Sequence, residues 1–515
     1  MADAGFDLER LRLQAAHSLP AGCFDDFQRL SRSLLHGPDF QWLLVDAPHE
    51  GLRAQVMLAL DGVLKAAGMA TNRLPLSDKI ADVAALERRL VNNAAKAAVV
   101  HVIGRQGWFN ASRWDAFNVR RERIAAGAKA RLVFWLDAEA IALVSQGAPD
   151  LWAWRAGIYA FLPESVALGG RFEVATPTPL KADSRSMSER FKRIAEIRSW
   201  LVRNRDAPDD LIFSPLDELG RLLFDIGDFD AALKHWQEAE MPIYERRGDL
   251  YNRLTLLAQI ATVHHLRGDD GAALKILTEE VLTGFKELGA TRDAAVASVQ
   301  IADSLNAQGR TTEALETLER DALPTLERLG DHQQTAVALS KIAEILVARG
   351  NLEKALDIFR GRVLKLFERL GDTRAAAITW GNIADIHQLQ GRLDDALRIR
   401  AEAELPVYER LGDLRGVATA RFKIAVALQI RGQVNEALAL LRDKTLPIFE
   451  KLGAQREIAL TQGHMGELLL NIKGSESEGR VLIERAKSTL VALGVPNLKG
   501  RPGSLMPSDP TPALS

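Results

Sequence analysis

Glycine recurs in this chain at one fixed interval. Gly227, Gly268, Gly309, Gly350, Gly391 and Gly432 stand 41 residues apart, and a second series, Gly248, Gly289, Gly330, Gly371, Gly412, Gly453 and Gly494, keeps the same step. The pairs Ala232-Leu233, Ala273-Leu274, Ala314-Leu315, Ala355-Leu356, Ala396-Leu397 and Ala437-Leu438 fall in the same register. Two glycines per period, with apolar helical segments between them, describe a helix-turn-helix unit repeated about seven times between Leu211 and Leu493. Units of this kind bury their apolar faces only against their neighbours, so the spacing predicts an all-α solenoid.

The first glycine of each unit can take the left-handed conformation that ends a helix. Asp249, Asp331, Asp372 and Asp413 follow the second glycines and are placed to cap the next helix. Ile260-Ala261, Ile301-Ala302, Ile342-Ala343, Ile383-Ala384 and Ile424-Ala425 mark the packed face of each first helix. Pro242, Pro324, Pro406 and Pro447 lie inside second helices, where a missing N–H and a ring clash predict a kink or a restart. Thr283 and Lys365 occupy that slot in two other units. Gly474 falls 42 residues after Gly432 and the Ala-Leu pair is missing, as suits an irregular terminal unit.

The Ala-Leu pair after a turn glycine, with a small residue seven positions before that glycine, resembles the tetratricopeptide repeat. The usual unit of that family is 34 residues. The extra length here is close to two helical turns, which keeps the apolar face in phase. The resemblance implies an inner surface lined by first-helix residues, here Thr262, Asp303, Glu344, Asp385 and Val426. Asn306, Gln388 and Gln429 lie three residues further along the same face, and Asn382 is a further candidate. It implies a protein or peptide partner, and the acids Asp303, Glu344 and Asp385 point to a basic segment. Long units ending in ERLGD are similar to those of signalling scaffolds.

Ahead of the repeats the pattern changes. Residues 1–37 read as amphipathic helix broken at Leu19-Pro20-Ala21-Gly22. From 38 to 165, the apolar runs QWLLV, AAVVHVI, RLVFWL and IYAFL alternate with helical segments. This predicts an α/β domain with a mainly parallel sheet of four or five strands. Residues 166–187 read as a linker, 188–206 as a connecting helix, 207–494 as the solenoid and 495–515 as a disordered tail.

Lys and Arg number 66 against 68 Asp and Glu, so no net charge recruits nucleic acid or anionic membrane. Cys23 is the single cysteine, which excludes an internal disulfide. The opening MADAGFDLER is not a signal peptide and no apolar run spans a bilayer, so a cytoplasmic protein is expected.

The turn after the first strand, Asp46-Ala47-Pro48-His49-Glu50-Gly51, lacks the Gly-Lys-Ser/Thr of a phosphate loop and carries an acid where phosphate would lie. The second strand run, AAVVHVIG, ends without paired acids to hold magnesium. The domain nonetheless resembles the degenerate nucleotide-binding domains of STAND proteins in bacterial signalling and defence, through QWLLVDAP, Asn118-Val119-Arg120-Arg121-Glu122, RLVFWL and Asp150-Leu151-Trp152-Ala153-Trp154-Arg155 before IYAF. That resemblance implies a switch or docking module rather than an ATPase. The order of elements, with Ser112-Arg113-Trp114 before a helix, is similar to TIR-type domains, some of which cleave NAD. Asn118 stands where their catalytic acid is expected.

The remaining candidates have structural readings beside the functional ones. Cys23 could pair with His17 or His101 in a nucleophilic site, or be buried. Trp152 and Trp154 could anchor a partner or pack a helix on the sheet. Arg120, Arg121 and Arg123 form a basic helical face, and His264, His265 and His387 sit in repeat helices. No catalytic, cofactor or metal residue is assigned, and the function expected is a protein-binding scaffold or sensor rather than an enzyme. The contrasting reading is an N-terminal enzyme controlled by the solenoid.

Overall fold

The computed structural model describes residues 2–20, 22–77, 79–104, 107–161, 187–204 and 209–492. Apart from Met187, the expected linker lies outside the described residues, as do the expected tail and Gly494. The chain divides into two compact units, Met1–Asp331 and His332–Ser515, a cut that falls inside the repeat array.

In the first unit, α1 (Ala2–His17) and α2 (Phe24–His36) lead into β1 (Gln41–Asp46), α3 (Glu50–Ala66), β2 (Thr71–Pro75), α4 (Val83–Ala94), β3 (Val99–Ile103), α5 (Ala111–Gly127), β4 (Arg131–Leu136), α6 (Ala138–Gly147), α7 (Pro149–Trp154) and β5 (Gly157–Ala160). The five strands form one parallel sheet in the order β2-β3-β4-β1-β5. β1, β3 and β4 read as unbroken apolar runs because both faces of the sheet are covered. Trp42, Leu44, Val100, Val102, Leu132 and Phe134 pack on one side with Trp114 and Phe117 of α5. Leu43, Val45, Val99, Val133 and Trp135 pack on the other with α3 and with Phe27, Leu30 and Leu34 of α2. The N-terminal helices therefore complete the core of the α/β domain.

The sequence pattern does not predict β2. Only Leu74 of its five residues is buried, and edge pairing with β3 makes it a strand. Asp82, Asn110 and Asp137 cap α4, α5 and α6 by accepting from Ala85, Arg113 and Ala140 N–H. Helices α8 (Met187–Arg203) and α9 (Asp209–Asp225) follow.

Helix α9 opens the first of seven helix pairs. The later first helices are Leu250–Leu266 and Thr291–Ala307 in the first unit, then His332–Ala348, Thr373–Leu389, Leu414–Ile430 and Gln455–Leu470 in the second. The turn glycines of both series within the described residues have positive φ, from 63° at Gly248 to 87° at Gly432. Asp249, Asp372 and Asp413 cap the helices that follow them. The carboxylate of Asp331 accepts from Arg292 Nε at 2.7 Å. Ala232, Ala273, Ala314, Ala355, Ala396 and Ala437 are all fully buried, as a close helix approach requires.

Each of the first six second helices contains one π turn: Trp236–Glu240, Ile276–Leu282, Thr317–Ala322, Phe359–Val363, Arg400–Glu404 and Leu440–Thr445. A π turn takes in an extra residue and so re-phases the helix beyond it. The expected restart is present, but its cause is not proline, because the units with Thr283 and Lys365 have the turn as well. Proline adds a local change. Two residues before it, φ lies between −86° and −99° at Glu240, Ala322, Glu404 and Thr445, against −61° at the equivalent Val363.

The π turns place two buried side chains per unit at constant 41-residue spacing. The first is Trp236, Leu277, Leu318, Phe359, Arg400 or Leu441, and the second is Glu240, Val281, Ala322, Val363, Glu404 or Thr445. Enlarging a residue at the tight helix crossing should be felt at once. Ala355→Leu should lower stability by about 1–3 kcal/mol in chemical denaturation, whereas Glu402→Gln, on an exposed position, should change it by less than about 0.5 kcal/mol.

Candidate partner-binding face of the repeats

Within the second unit the first helices carry polar side chains along one line, one set per repeat. In the second unit this line holds Lys341, Glu344, Asn382, Asp385, Gln388, Lys423 and Gln429, each partly exposed. Asp303 and Asn306 occupy the same positions in the first unit, where Gln300 donates to Thr262 Oγ1 across adjacent repeats at 3.2 Å. Val426, at the fifth position, is buried.

The three acids expected to meet a partner are also engaged within the chain. Lys341 Nζ lies 3.6 Å from Glu344. Asp385 accepts from Lys423 Nζ at 2.8 Å and from Arg400 Nη2. Asp303 is also engaged. Burial opposes ionisation of Asp385, but Lys423 and Arg400 outweigh it and hold its carboxyl below the usual range. The lysines sit three residues before the acids or in the neighbouring repeat, so the face is a mixed-charge and amide surface. Gln388 and Gln429 each have a side-chain oxygen that is buried and makes no hydrogen bond.

A second feature was not expected. In the first unit, α1 and α2 turn a charged edge toward the repeats, opposite to their apolar edge in the sheet core. Arg12 binds Glu9 at 2.6 Å, and Arg32 lies 3.5 Å from Asp293. Asp293 also accepts from Tyr251 Oη at 3.0 Å and lies 3.6 Å from Arg292. His36 stacks on Tyr251 with ring centroids 3.8 Å apart, and its carbonyl accepts from Asn252 at 2.7 Å. His17 contacts the Gly330 carbonyl at 3.2 Å, and Arg328 lies over the Phe6 ring. Near the other edge of the domain, Glu218 of α9 binds Arg193 of α8 at 2.7 Å and Arg155 at 3.4 Å. The sequence signal for this seam is the pair of polar, non-repeating residues Tyr251 and Asp293.

The sheet crevice is poorly suited to phosphate. Asp46 at the carboxyl end of β1 is pushed up to about 6 by burial and by neighbouring Asp137, which follows β4. Asn118 bridges α5 to α7, accepting from Leu151 N–H at 2.9 Å and donating to Asp150 at 3.4 Å. Cys23 is fully buried, and burial with Asp26 pushes its thiol up to about 11. His101 on β3 is fully buried, accepts from Trp135 Nε1 at 3.0 Å and faces Asp61 at 3.3 Å.

The other candidates are engaged within the chain. Trp154 packs edge-on to Trp200, and the Arg155 guanidinium covers Trp152. Arg120 and Arg123 pair with Glu87, and Arg121 with Asp150. His264 and His265 face Asp269 and Asp270, and His387 meets Arg360. Among the described residues, no group of three or more His, Cys, Asp or Glu could hold a metal ion. Within the same residues no helix is long and apolar enough to cross a membrane.

The seam sets a pH dependence. Burial lowers the pKa of His36, opposed by Asp293 and Glu9 and reinforced by Arg32 and Arg12. A histidine with a depressed folded value binds its proton more readily when released, so this contribution is complete above about pH 6.5 and is lost as pH falls below it. Asp293 is shifted down because Arg32, Arg292, Arg12 and His36 outweigh its burial, so its contribution persists until pH falls below about 3.9. Thermal stability should therefore fall from about pH 7.5 to about pH 5.5, and His36→Gln should reduce that loss. At neutral pH, Asp293→Ala should cost about 1–3 kcal/mol by removing the acid that faces Arg32 and the acceptor of the Tyr251 hydroxyl.

Residues 293–369 match the tetratricopeptide repeat family. Among solved structures, the chain is similar to the apo form of the quorum sensor NprR from B. thuringiensis, at 16% identity and a TM-score of 0.45 over 58% of this chain and 84% of that one. It is also similar to a Rap protein complexed with competence and sporulation factor, at 15% identity and a TM-score of 0.37 over 72% of this chain and 98% of that one. A third is a signal transduction ATPase with numerous domains and a tetratricopeptide repeat sensor from Pyrococcus horikoshii, at 11% identity and a TM-score of 0.33 over 91% of this chain and 96% of that one. Searching curated proteins gives no match. The family match, the 41-residue recurrence of turn glycines and the buried alanine at each helix crossing agree: this chain carries tetratricopeptide repeats.

Proposed function

We propose that the repeats bind an extended peptide or protein segment along the first-helix face, and that the α/β domain acts as a non-catalytic docking or relay module. The observation that carries this reading is the polar line of first-helix residues in the second unit. Its side chains are partly exposed and in register, whereas the flanking Ile-Ala positions are packed. An extended chain advances about 3.3 Å per residue and neighbouring helices stand roughly 8–10 Å apart, so successive repeats can meet every third residue of one segment. The acids with their adjoining lysines, together with the amides of Asn382, Gln388 and Gln429, favour a segment read through its backbone and through paired charges. A purely basic ligand has less support, since Lys341 and Lys423 would repel it.

The seam joining α1 and α2 to the second and third repeats supports the relay part of the reading, because it puts the α/β domain in direct contact with first helices. Support for a non-catalytic domain comes from Asp46 and Asp137 at the mouth of the sheet and from the structural duty of Asn118. A place in bacterial signalling or defence, in the cytoplasm, belongs to the same reading.

Full-length protein used as bait should retain a partner that the combined variant Asp303→Ala, Glu344→Ala, Asp385→Ala retains at least about tenfold less well, the worth of one charged contact. Equal retention would remove these residues from the site. Incubation with NAD or ATP should give no products; turnover of either would restore the enzymatic reading of the N-terminal domain.

A further inference from the structure

The repeats serve as controls for one another, and one unit departs from the rest. At the first buried position of the π turn, five repeats carry Trp236, Leu277, Leu318, Phe359 and Leu441, whereas the fifth repeat in chain order carries Arg400, which is completely buried. At the second position the same unit carries Glu404, also buried, where three others carry Val281, Ala322 and Val363. Arg400 Nη1 donates to Glu404 at 2.8 Å and Nη2 donates to Asp385, whose other oxygen accepts from Lys423. Space for the Glu404 carboxyl comes from Gly381 on the facing helix, where a Cβ would stand 2.7 Å from Oε1. The substitution therefore involves residues on three helices of the second unit and reaches the surface at Asp385, whose side chain is 34% exposed.

Stability does not account for this arrangement. Burying an ion pair costs desolvation that apolar residues of similar volume avoid, and the other units show that such residues fit the turn. Arg400 Nε remains buried without a hydrogen bond, and burial pushes the Glu404 carboxyl up against the pull of Arg400. What the pair does achieve is geometric. The guanidinium is rigid and planar, so a fork anchored on Glu404 from below aims its second nitrogen at Asp385.

We infer that Arg400 is a positioning residue of the partner face: from inside the repeat it fixes the Asp385 carboxylate beside Lys423. This rests on the reading of that face as the binding surface, but its test needs no partner. In full-length protein, carboxylates are modified with a carbodiimide and glycine ethyl ester and quantified by mass spectrometry. The double variant Arg400→Leu, Glu404→Val imitates the other units and should unfold at or above the wild-type temperature. Its Asp385 should be modified on the order of tenfold faster, the worth of one charge-assisted hydrogen bond, with Glu344 unchanged as the internal reference. Arg400→Lys, which keeps the charge and loses the fork, should also raise Asp385 modification. Unchanged modification of Asp385 in both variants would overturn the inference, as would a double variant whose melting temperature falls by more than about 4 °C, which would make the pair a stabilising element. Loss of partner retention without any change at Asp385 would leave the binding reading standing and remove only this role for Arg400.

Discussion

The structure depends on how closely two helices of one repeat can approach. In the first six repeats each crossing is built on a fully buried alanine, and each helix of the pair ends on a glycine with positive φ. Around that contact the second helix does not remain a simple α-helix. A π turn inserts one residue and delivers two buried side chains to the interior. Proline is an accessory to this geometry. It follows the turn in four units, where a missing N–H costs least at the start of an α segment, and two units manage without it.

Because packing positions are so uniform, departures from the repeat are informative. In the first unit, Tyr251 and Asp293 sit at the beginnings of first helices and receive His36 and Arg32 of the N-terminal helices. Helices α1 and α2 thus have two unlike edges, an apolar one in the sheet core and a charged one on the repeats. Contacts of the second kind respond to pH and to competing charges in a way the sheet core does not. In the second unit, Arg400 and Glu404 replace apolar residues and carry a charge network from the π turn to Asp385 on the first-helix face. The second departure puts ionic chemistry where most other repeats bury apolar side chains.

The α/β domain is built on a parallel sheet with acids at the carboxyl ends of two strands. Its parallel sheet offers a crevice at the carboxyl ends of β1 and β4, the position at which doubly wound sheets bind ligands. Here that crevice presents Asp46 and Asp137, and the turn that follows β1 has no glycine-rich loop to present N–H groups. Asn118 pairs with Leu151, His101 with Trp135, and Cys23 lies in the apolar core.

The sequence alone determined the solenoid, its period, its turn glycines, its buried alanines and the presence of an α/β domain before it, because each is a local or strictly periodic signal. It also placed Asp303, Glu344 and Asp385 on equivalent positions. Only the tertiary structure decided how those acids are used, since Lys423 lies 38 residues from Asp385 and belongs to the neighbouring repeat. β2 became a strand by pairing rather than by pattern, and the π turns replaced a kink attributed to proline because a helix phase error is visible only when both helices are packed. The seam between α2 and the repeats joins residues more than two hundred positions apart in the chain, as Asn252 and His36 show, and no spacing rule reaches that far. Periodicity specifies what each unit buries against the next; which charges meet is settled by three-dimensional proximity.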